Sequence, residues 1–292
     1  MIYLFEGIVT GATYALVATG IVIIFNAVRT FQFAQGAIVV FASYVFLELY
    51  GPLGQSAWLT ALVVAALICA GSVVMSIVAF EPLIGRPFPS LVASLGILLL
   101  LTEVVGRYFF SGQAVAYPAS MQPAGTVHAL GIDMSDSDLL VLVVAVAVLA
   151  VLDLLFHYSR IGMQMRAAAD TRIGAQLCGI DPRRLVRIAF AVAGLVATIG
   201  GILLGISLGN INPDLGSSLT FEVAAAVLVA GSTSFRGAVL ASVLIGVVES
   251  LTTGYLSGTY SDAFAWIVVI VVLLIRPQGL FEAPVEVDAE VA

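Results

Sequence analysis

The chain has 292 residues, of which 61% are hydrophobic and 10% charged, with a net charge of −7 and a mean hydropathy of +1.13. A soluble globular domain is roughly 45–50% apolar and about 25% charged, so this composition excludes that class. Residues 49–80 contain no Asp, Glu, Lys or Arg, and neither do residues 188–213. Because about 20 apolar residues suffice to cross a bilayer, these runs predict membrane-spanning helices.

Several kinds of chemistry are excluded or disfavoured by residues that the chain lacks. Its 11 basic residues are all arginines, so it contains no lysine. A Walker A phosphate loop and a Schiff base both need a lysine, and neither is therefore available. Cys69 and Cys178 are too few for a disulfide framework or a metal cluster, and His128 and His157 have no partner close in sequence. We therefore expect no enzymatic activity, no metal site and no cofactor in this chain.

Nine apolar segments follow one another along the chain. Lipid leaves no water for backbone groups, so each segment should be helical, and the sequence predicts an all-α polytopic integral membrane protein. Three segments are short enough to be half-helices or re-entrant, which leaves about eight to nine transmembrane helices. The first has no basic stretch before it and is expected to be a retained helix rather than a cleaved signal. The predicted segments are 7–25, 33–50, 57–80, 89–110, 138–157, 187–208, 216–232, 237–252 and 262–276.

Arginine placement predicts the orientation of these segments. If all nine cross, ten of the eleven arginines fall on one side, which the positive-inside rule assigns to the cytoplasm, and only Arg107 lies near the outer face. The N-terminus is then outside and the C-terminus inside, with an outer loop at about 111–137 and a cytoplasmic loop at about 158–186. Residues 1–281 form a single transmembrane domain, and the acidic residues 282–292 are expected to be disordered.

Six of the eleven arginines lie within residues 160–187. The positive-inside rule alone is one explanation for this concentration of charge. The pattern of the stretch suggests more, because Asp170 or Thr171 can cap a short helix that ends at Gly179. Asp181 followed by a proline is a further N-cap signal, and it predicts the start of the next membrane helix. We therefore expect a short surface helix, presented to the cytosol, between two membrane helices.

Four polar side chains within or beside the apolar segments are candidates for a solute pathway. Polar groups inside a bilayer are expensive and are often functional. Asn26, Gln32 and Gln35 cluster between the first and second segments. Glu222 lies in the seventh segment, with no oppositely charged residue at helical spacing. Hydrogen bonding between helices is the alternative interpretation of the three amides, and both remain open.

The stretches GMQMRAAADTRIGAQLCGIDPRRLVR, GATYALVATGIVIIFNAVRTFQFAQGA, SFRGAVLASVLIGVVES and RPQGLF carry a resemblance to a known family. They resemble permease subunits of branched-chain amino-acid ABC importers, of the LivH type, and the likeness runs from about residue 7 to 281. The resemblance implies a second permease subunit, two cytoplasmic ATPase subunits that bind ATP and Mg²⁺, and an extracytoplasmic substrate-binding protein. It also implies a plasma or inner membrane location and an amino-acid substrate such as Leu, Ile or Val.

In such an importer the short helix near 170–179 would be a coupling helix that docks in a cleft of an ATPase subunit. Ile173, Gln176 and Leu177 would then be anchors, surrounded by arginines that steer docking. The candidate coupling residues are Arg166, Asp170, Arg172, Ile173, Gln176, Leu177, Gly179 and Arg183.

Three alternatives remain open at the level of the sequence. A stand-alone secondary transporter or channel would need its own coupling site, for which Glu222 and the short segments are candidates. Permeases that resemble this family also serve urea or other amino acids, so the exact substrate is undetermined. An intramembrane enzyme is disfavoured, because no arrangement of Ser, His and Asp, of paired Asp, or of a metal triad is visible at membrane depth.

Overall fold

A computed structural model describes residues 2–54, 56–122, 125–129, 132–255, 261–276 and 279–281. Within these ranges the regular structure is helical apart from four short strands. The α-helices are α1 (Ile2–Val28), α2 (Gln35–Tyr50), α3 (Ala57–Met75), α4 (Pro87–Tyr108), α5 (Asp136–Tyr158), α6 (Arg160–Asp170), α7 (Arg172–Leu177), α8 (Pro182–Leu208), α9 (Leu215–Ala230), α10 (Phe235–Tyr255) and α11 (Ser261–Ile275). The strands are β1 (Val115–Ala116), β2 (Thr126–Ala129), β3 (Ile132–Ser135) and β4 (Asn210–Ile211).

The nine apolar segments correspond to α1–α5 and α8–α11, and the all-α membrane fold is confirmed. Within the part of the chain that the structure describes, six helices are long and apolar enough to cross a membrane: α1, α3 with its short extension, α4, α5, α8 and α10. The helices α2 and α9 have 16 residues each, or about 24 Å, which is shorter than a bilayer core. The acidic segment 282–292 lies outside the described residues.

The bundle has two chemically different ends. The end that carries α6, α7 and most of the arginines is called here the arginine-rich end. The opposite end, where α1 and α5 begin and α8 and α10 finish, is called the acidic end. Two small antiparallel pairs, β1 with β4 and β2 with β3, cover the acidic end. The sequence predicted a loop in that region and not these strands.

The centre of the bundle is built around α1 and α8. Residues along α1 such as Ala15, Leu16 and Ala18 are fully buried, whereas α3, α4 and α5 turn large apolar side chains outward. The outward residues include Leu62 and Val143, which are 71% and 66% exposed. Apolar surface of this kind suits hydrocarbon chains, so the outer helices form the lipid-facing layer.

Glycines allow α1 and α10 to pack backbone against backbone. A Cβ atom on Gly11 would lie 2.6 Å from the Cα atom of Val243, and one on Gly246 would lie 2.6 Å from the Cα atom of Gly11. Real Cβ atoms do not approach so closely, so these positions admit glycine alone without a shift of one helix. Small residues commonly let membrane helices come this close.

The connection between α1 and α2 returns into the bundle instead of crossing its surface. The side-chain amide of Gln35 donates to the backbone oxygen of Ala193, 3.0 Å away. Ala193 lies eleven residues after the start of α8, which is about 17 Å along that helix. A Cβ atom on Gly20, eight residues before the end of α1, would strike the Gln35 side chain. The helix α2 therefore begins inside the bundle, and residues 29–34 are called here the α1–α2 break.

Candidate functional site

Two adjoining cavities open at the acidic end of the bundle, with volumes of about 410 and 250 Å³. They share Thr10, Ser207, Leu208 and Glu249, so they lie side by side between α1, α8, α9 and α10, and Asp138 of α5 lines the larger of the two. Carboxylates and hydroxyls supply most of their polar groups, and the described residues that line them include no lysine, arginine or histidine. We call the two together the acidic cavity. Its carboxylates are Glu6, Asp138, Glu222 and Glu249.

Tyr14 connects the two innermost carboxylates of the acidic cavity. The residue is 6% exposed, and its hydroxyl lies near the carboxylates of both Glu222 and Glu249. Glu222 lies seven residues, or about 10 Å, along α9 from its first residue. The cavity therefore carries negative charge from the surface of the acidic end into the interior of the bundle. In the described residues no group of three His, Cys, Asp or Glu is close enough to hold a metal ion.

The four pathway candidates predicted from sequence do not form one site. Glu222 lines the acidic cavity, whereas Asn26, Gln32 and Gln35 surround the α1–α2 break, nearer the arginine-rich end. The amide of Asn26 donates to the backbone oxygens of Val22 and Thr233, at 2.9 and 3.3 Å. Asn26 thus joins α1 to the turn between α9 and α10, and its role in a pathway stays a prediction.

Gln32 differs from its neighbours because its amide is buried and unused. The residue is 1% exposed, and among the described residues neither its nitrogen nor its oxygen has a hydrogen-bond partner. The oxygen of Gln35 is likewise buried without a partner among those residues, although its nitrogen is bonded to α8. Unsatisfied buried polar atoms are costly and rare in folded proteins.

The arginine-rich end presents the short helix α7 between α6 and α8. Gln176 and Leu177 are exposed, Leu177 to 84%, and Gly179 ends the turn with a positive φ of 79°. The side chain of Asp181 accepts from the backbone nitrogen of Arg183 at 2.9 Å, so the N-cap that the sequence predicted for α8 is present. Arg183 is exposed beside it.

Thr171, the alternative cap, and the four remaining coupling candidates are placed less simply. Thr171 occupies the N-cap position of α7 but makes no side-chain cap hydrogen bond there. The side chains of Asp170, Arg172 and Ile173 lie outside what the structure describes, although their backbone belongs to α6 and α7. Arg166 is half-buried, and its guanidinium donates to the backbone oxygens of Phe156 and His157 at the end of α5. This geometry makes Arg166 an internal brace of α6 rather than a free charge at the rim of α7.

An ion pair continues this brace from α5 to α10. Both oxygens of the Asp153 carboxylate accept hydrogen bonds from the Arg236 guanidinium at 2.9 Å. The rings of Phe156 and Phe235 stack at 5.5 Å, and the Arg166 guanidinium lies 5.6 Å from the Phe156 ring. A bidentate pair of this kind fixes orientation as well as distance. The helix α6 is thereby held to α5, which is itself joined to α10.

Sequence reasoning missed Tyr14 and Glu249 as members of a site. Glu249 is the only charged residue of the segment 237–252, but the sequence does not show that it meets Tyr14, which depends on α1 and α10 packing along their glycines. The spacing of Gly7 and Gly11 was the available signal, since small residues four apart mark a close helix contact. It identifies the contact but not its partner helix.

The fold defines an all-helical polytopic membrane protein, and it has a solved counterpart. One chain of PsaBC from Streptococcus pneumoniae, solved in complex with a Fab, superposes with a TM-score of 0.51 over 95% of this chain and 93% of that one. The two sequences are 15% identical, so the likeness concerns the fold alone.

Sequence comparisons identify the family. The family model described as branched-chain amino acid transport system / permease component matches residues 3–273. The high-affinity branched-chain amino acid transport system permease protein LivH of Escherichia coli (strain K12) is 29% identical over 96% of this chain and 95% of its own length. The corresponding permease protein BraD of Pseudomonas aeruginosa is 28% identical over the same shares. The chain therefore belongs to the branched-chain amino-acid transport permease family, a family of transporters and not of enzymes.

Proposed function

We propose that this chain is a permease subunit of an ATP-driven importer for branched-chain amino acids in the plasma or inner membrane. It forms the translocation pathway with a second permease. Two cytoplasmic ATPase subunits bind ATP and Mg²⁺, and an extracytoplasmic binding protein delivers the amino acid. Membership of the family supports the transport role, and the absence of lysine from the chain is in keeping with ATP chemistry on another subunit.

The observation that carries the coupling role is the exposed helix α7. It lies at the end of the bundle where most arginines are found, and Leu177 is 84% exposed there. An exposed leucine on a short helix, next to Gln176 and Arg183, suits a groove of a partner protein. The positive-inside rule assigns this end to the cytoplasm, where an ATPase subunit would meet it.

The acidic cavity supports a solute pathway that starts at the end of the bundle opposite to α7. It is open, polar and negatively charged, and it reaches Glu222 inside the bundle. An amino acid carries an ammonium group, for which carboxylates and hydroxyls are suitable partners. On this orientation the acidic cavity faces outward, towards the binding protein, and α7 faces the ATPases.

Co-purification from the native host tests this function. A tagged chain, solubilised gently, should bring down a second permease and an ATPase. The variant Leu177→Asp should lose the ATPase but keep the second permease, because a charge cannot enter an apolar groove. Met163→Asp is the matched control, since Met163 is 62% exposed on the neighbouring helix α6, and we expect it to retain the ATPase. Purification of the unaltered chain without any ATPase would instead favour the stand-alone transporter.

A further inference from the structure

The α1–α2 break places irregular backbone inside the membrane domain. Thr30, Gln32 and Ala34 are 6%, 1% and 0% exposed, and the chain turns there through Arg29, whose φ of 60° is left-handed. The backbone nitrogen of Phe33 donates to the hydroxyl of Ser94, 3.4 Å away. Ser94 lies seven residues after the start of α4, which is about 10 Å along that helix. Non-helical backbone at membrane depth is tolerated where protein buries it or where it lines a water-filled space.

Aromatic rings close the break on one side. The ring centroids of Phe25 and Phe31 are 5.1 Å apart, and those of Phe31 and Phe33 are 6.3 Å apart. Phe33 continues the series to Phe221 on α9, at 6.4 Å. Phe221 is 44% exposed and directly precedes Glu222, so the aromatic series reaches α9, the helix whose Glu222 lines the acidic cavity, on a different face of that helix. The rings therefore connect the α1–α2 break to a helix of the acidic cavity.

The amides of Gln32 and Gln35, beside these rings, lack hydrogen bonds that buried amides normally make. Both polar atoms of Gln32 and the oxygen of Gln35 are buried without partners among the described residues. Asn26, two residues before the end of α1 and 2% exposed, has two partners, so burial near the break does not by itself prevent pairing. A buried polar group without a hydrogen-bond partner destabilises the conformation that buries it. It therefore favours a second conformation in which water or a ligand forms hydrogen bonds with it.

We propose that the α1–α2 break is the inner gate of the solute pathway, that the described conformation is its closed state, and that Gln32 contacts the amino acid when the gate opens. The amide can donate to the carboxylate of an amino acid and accept from its ammonium group. Gln32 is then a positioning residue of the pathway, and the rings of Phe31, Phe33 and Phe221 are the closing element. This inference rests on the proposed transport function.

The variant Gln32→Met tests the inference through two readouts that move in opposite directions. Methionine has a similar length and no polar group to satisfy, so it should raise the midpoint of thermal unfolding of the purified complex by about 2–4 °C. It should also lower amino-acid uptake about tenfold in proteoliposomes, because the open gate loses its contact with the solute. The matched control is Asn26→Leu, which removes two hydrogen bonds and should lower the unfolding midpoint.

Two results would overturn the inference. If Gln32→Met lowers the unfolding midpoint as Asn26→Leu does, Gln32 makes structural hydrogen bonds and is not an unused group. If Gln32→Met leaves uptake unchanged, the side chain is not on the route of the solute. Failure of the transport function itself would be recognised separately, because the unaltered complex would then show no ATP-dependent uptake while the unfolding comparison could still be made.

Discussion

The proposed role of Glu222 in transport depends on two neighbours that are distant in sequence. Tyr14 and Glu249 belong to α1 and α10, and both meet Glu222 in the acidic cavity. Two carboxylates near one hydroxyl repel each other when both are ionised, and a cation between them relieves that repulsion. The ammonium group of an amino acid is such a cation. The rate of transport should therefore depend more on the negative charge of Glu222 than on its size or its capacity to form hydrogen bonds.

The substitution Glu222→Gln preserves size and removes this charge. We expect uptake to fall about tenfold while the complex still assembles, because the ammonium group loses an ionic partner inside the bundle. Uptake by proteoliposomes checks this expectation. Glu103→Gln is the matched control, since Glu103 is exposed and pairs with Arg107 on its own helix. Equal losses in both variants would contradict a specific role for Glu222.

The packing of α1 against α10 determines where the acidic cavity lies. Gly7, Gly11 and Gly246 bring the two backbones into contact, and Glu249 reaches Tyr14 because of it. On the lipid-facing helix α3 the glycine at position 71 has no atom within 4 Å of an added Cβ. The same change should therefore have opposite consequences at Gly11 and at Gly71.

Gly11→Ala should destabilise the protein by about 1–3 kcal/mol, because the new methyl group overlaps the α10 backbone. Gly71→Ala should be neutral or stabilise it by up to about 1 kcal/mol, because alanine favours a helix and meets no atom. Thermal unfolding of the two purified variants in one detergent measures both effects. Similar midpoints for Gly11→Ala and Gly71→Ala would show that α1 and α10 do not pack as described.

Element boundaries followed closely from the sequence, because hydrophobic runs, proline and N-cap residues are local signals. The segment 138–157 became α5 (Asp136–Tyr158), and Asp181 caps α8. The return of the α1–α2 break into the bundle was not predictable, since it depends on contacts of Gln35 with α8 and of Phe33 with α4. The inward turn of Arg166 towards α5 was missed for the same reason.

At the scale of the whole molecule, the two ends have different chemistry. The acidic end opens into a negatively charged cavity, and the arginine-rich end presents α7 between α6 and α8. The brace from Arg166 to α5, and the ion pair from Asp153 to Arg236, join α6 to helices that run to the acidic end. Motion imposed on α6 and α7 would therefore be passed to α5, α8 and α10, all three of which contribute residues to the acidic cavity.

The central claim is that an ATPase docked on α7 drives amino-acid uptake through this chain. Uptake of labelled leucine into proteoliposomes, with the complex and its binding protein purified from the native host, tests it most directly. We predict uptake that requires ATP and that is lost in Leu177→Asp, while Met163→Asp retains it. Uptake by this chain without the ATPase subunits, or unchanged ATP-driven uptake in Leu177→Asp, would contradict the account.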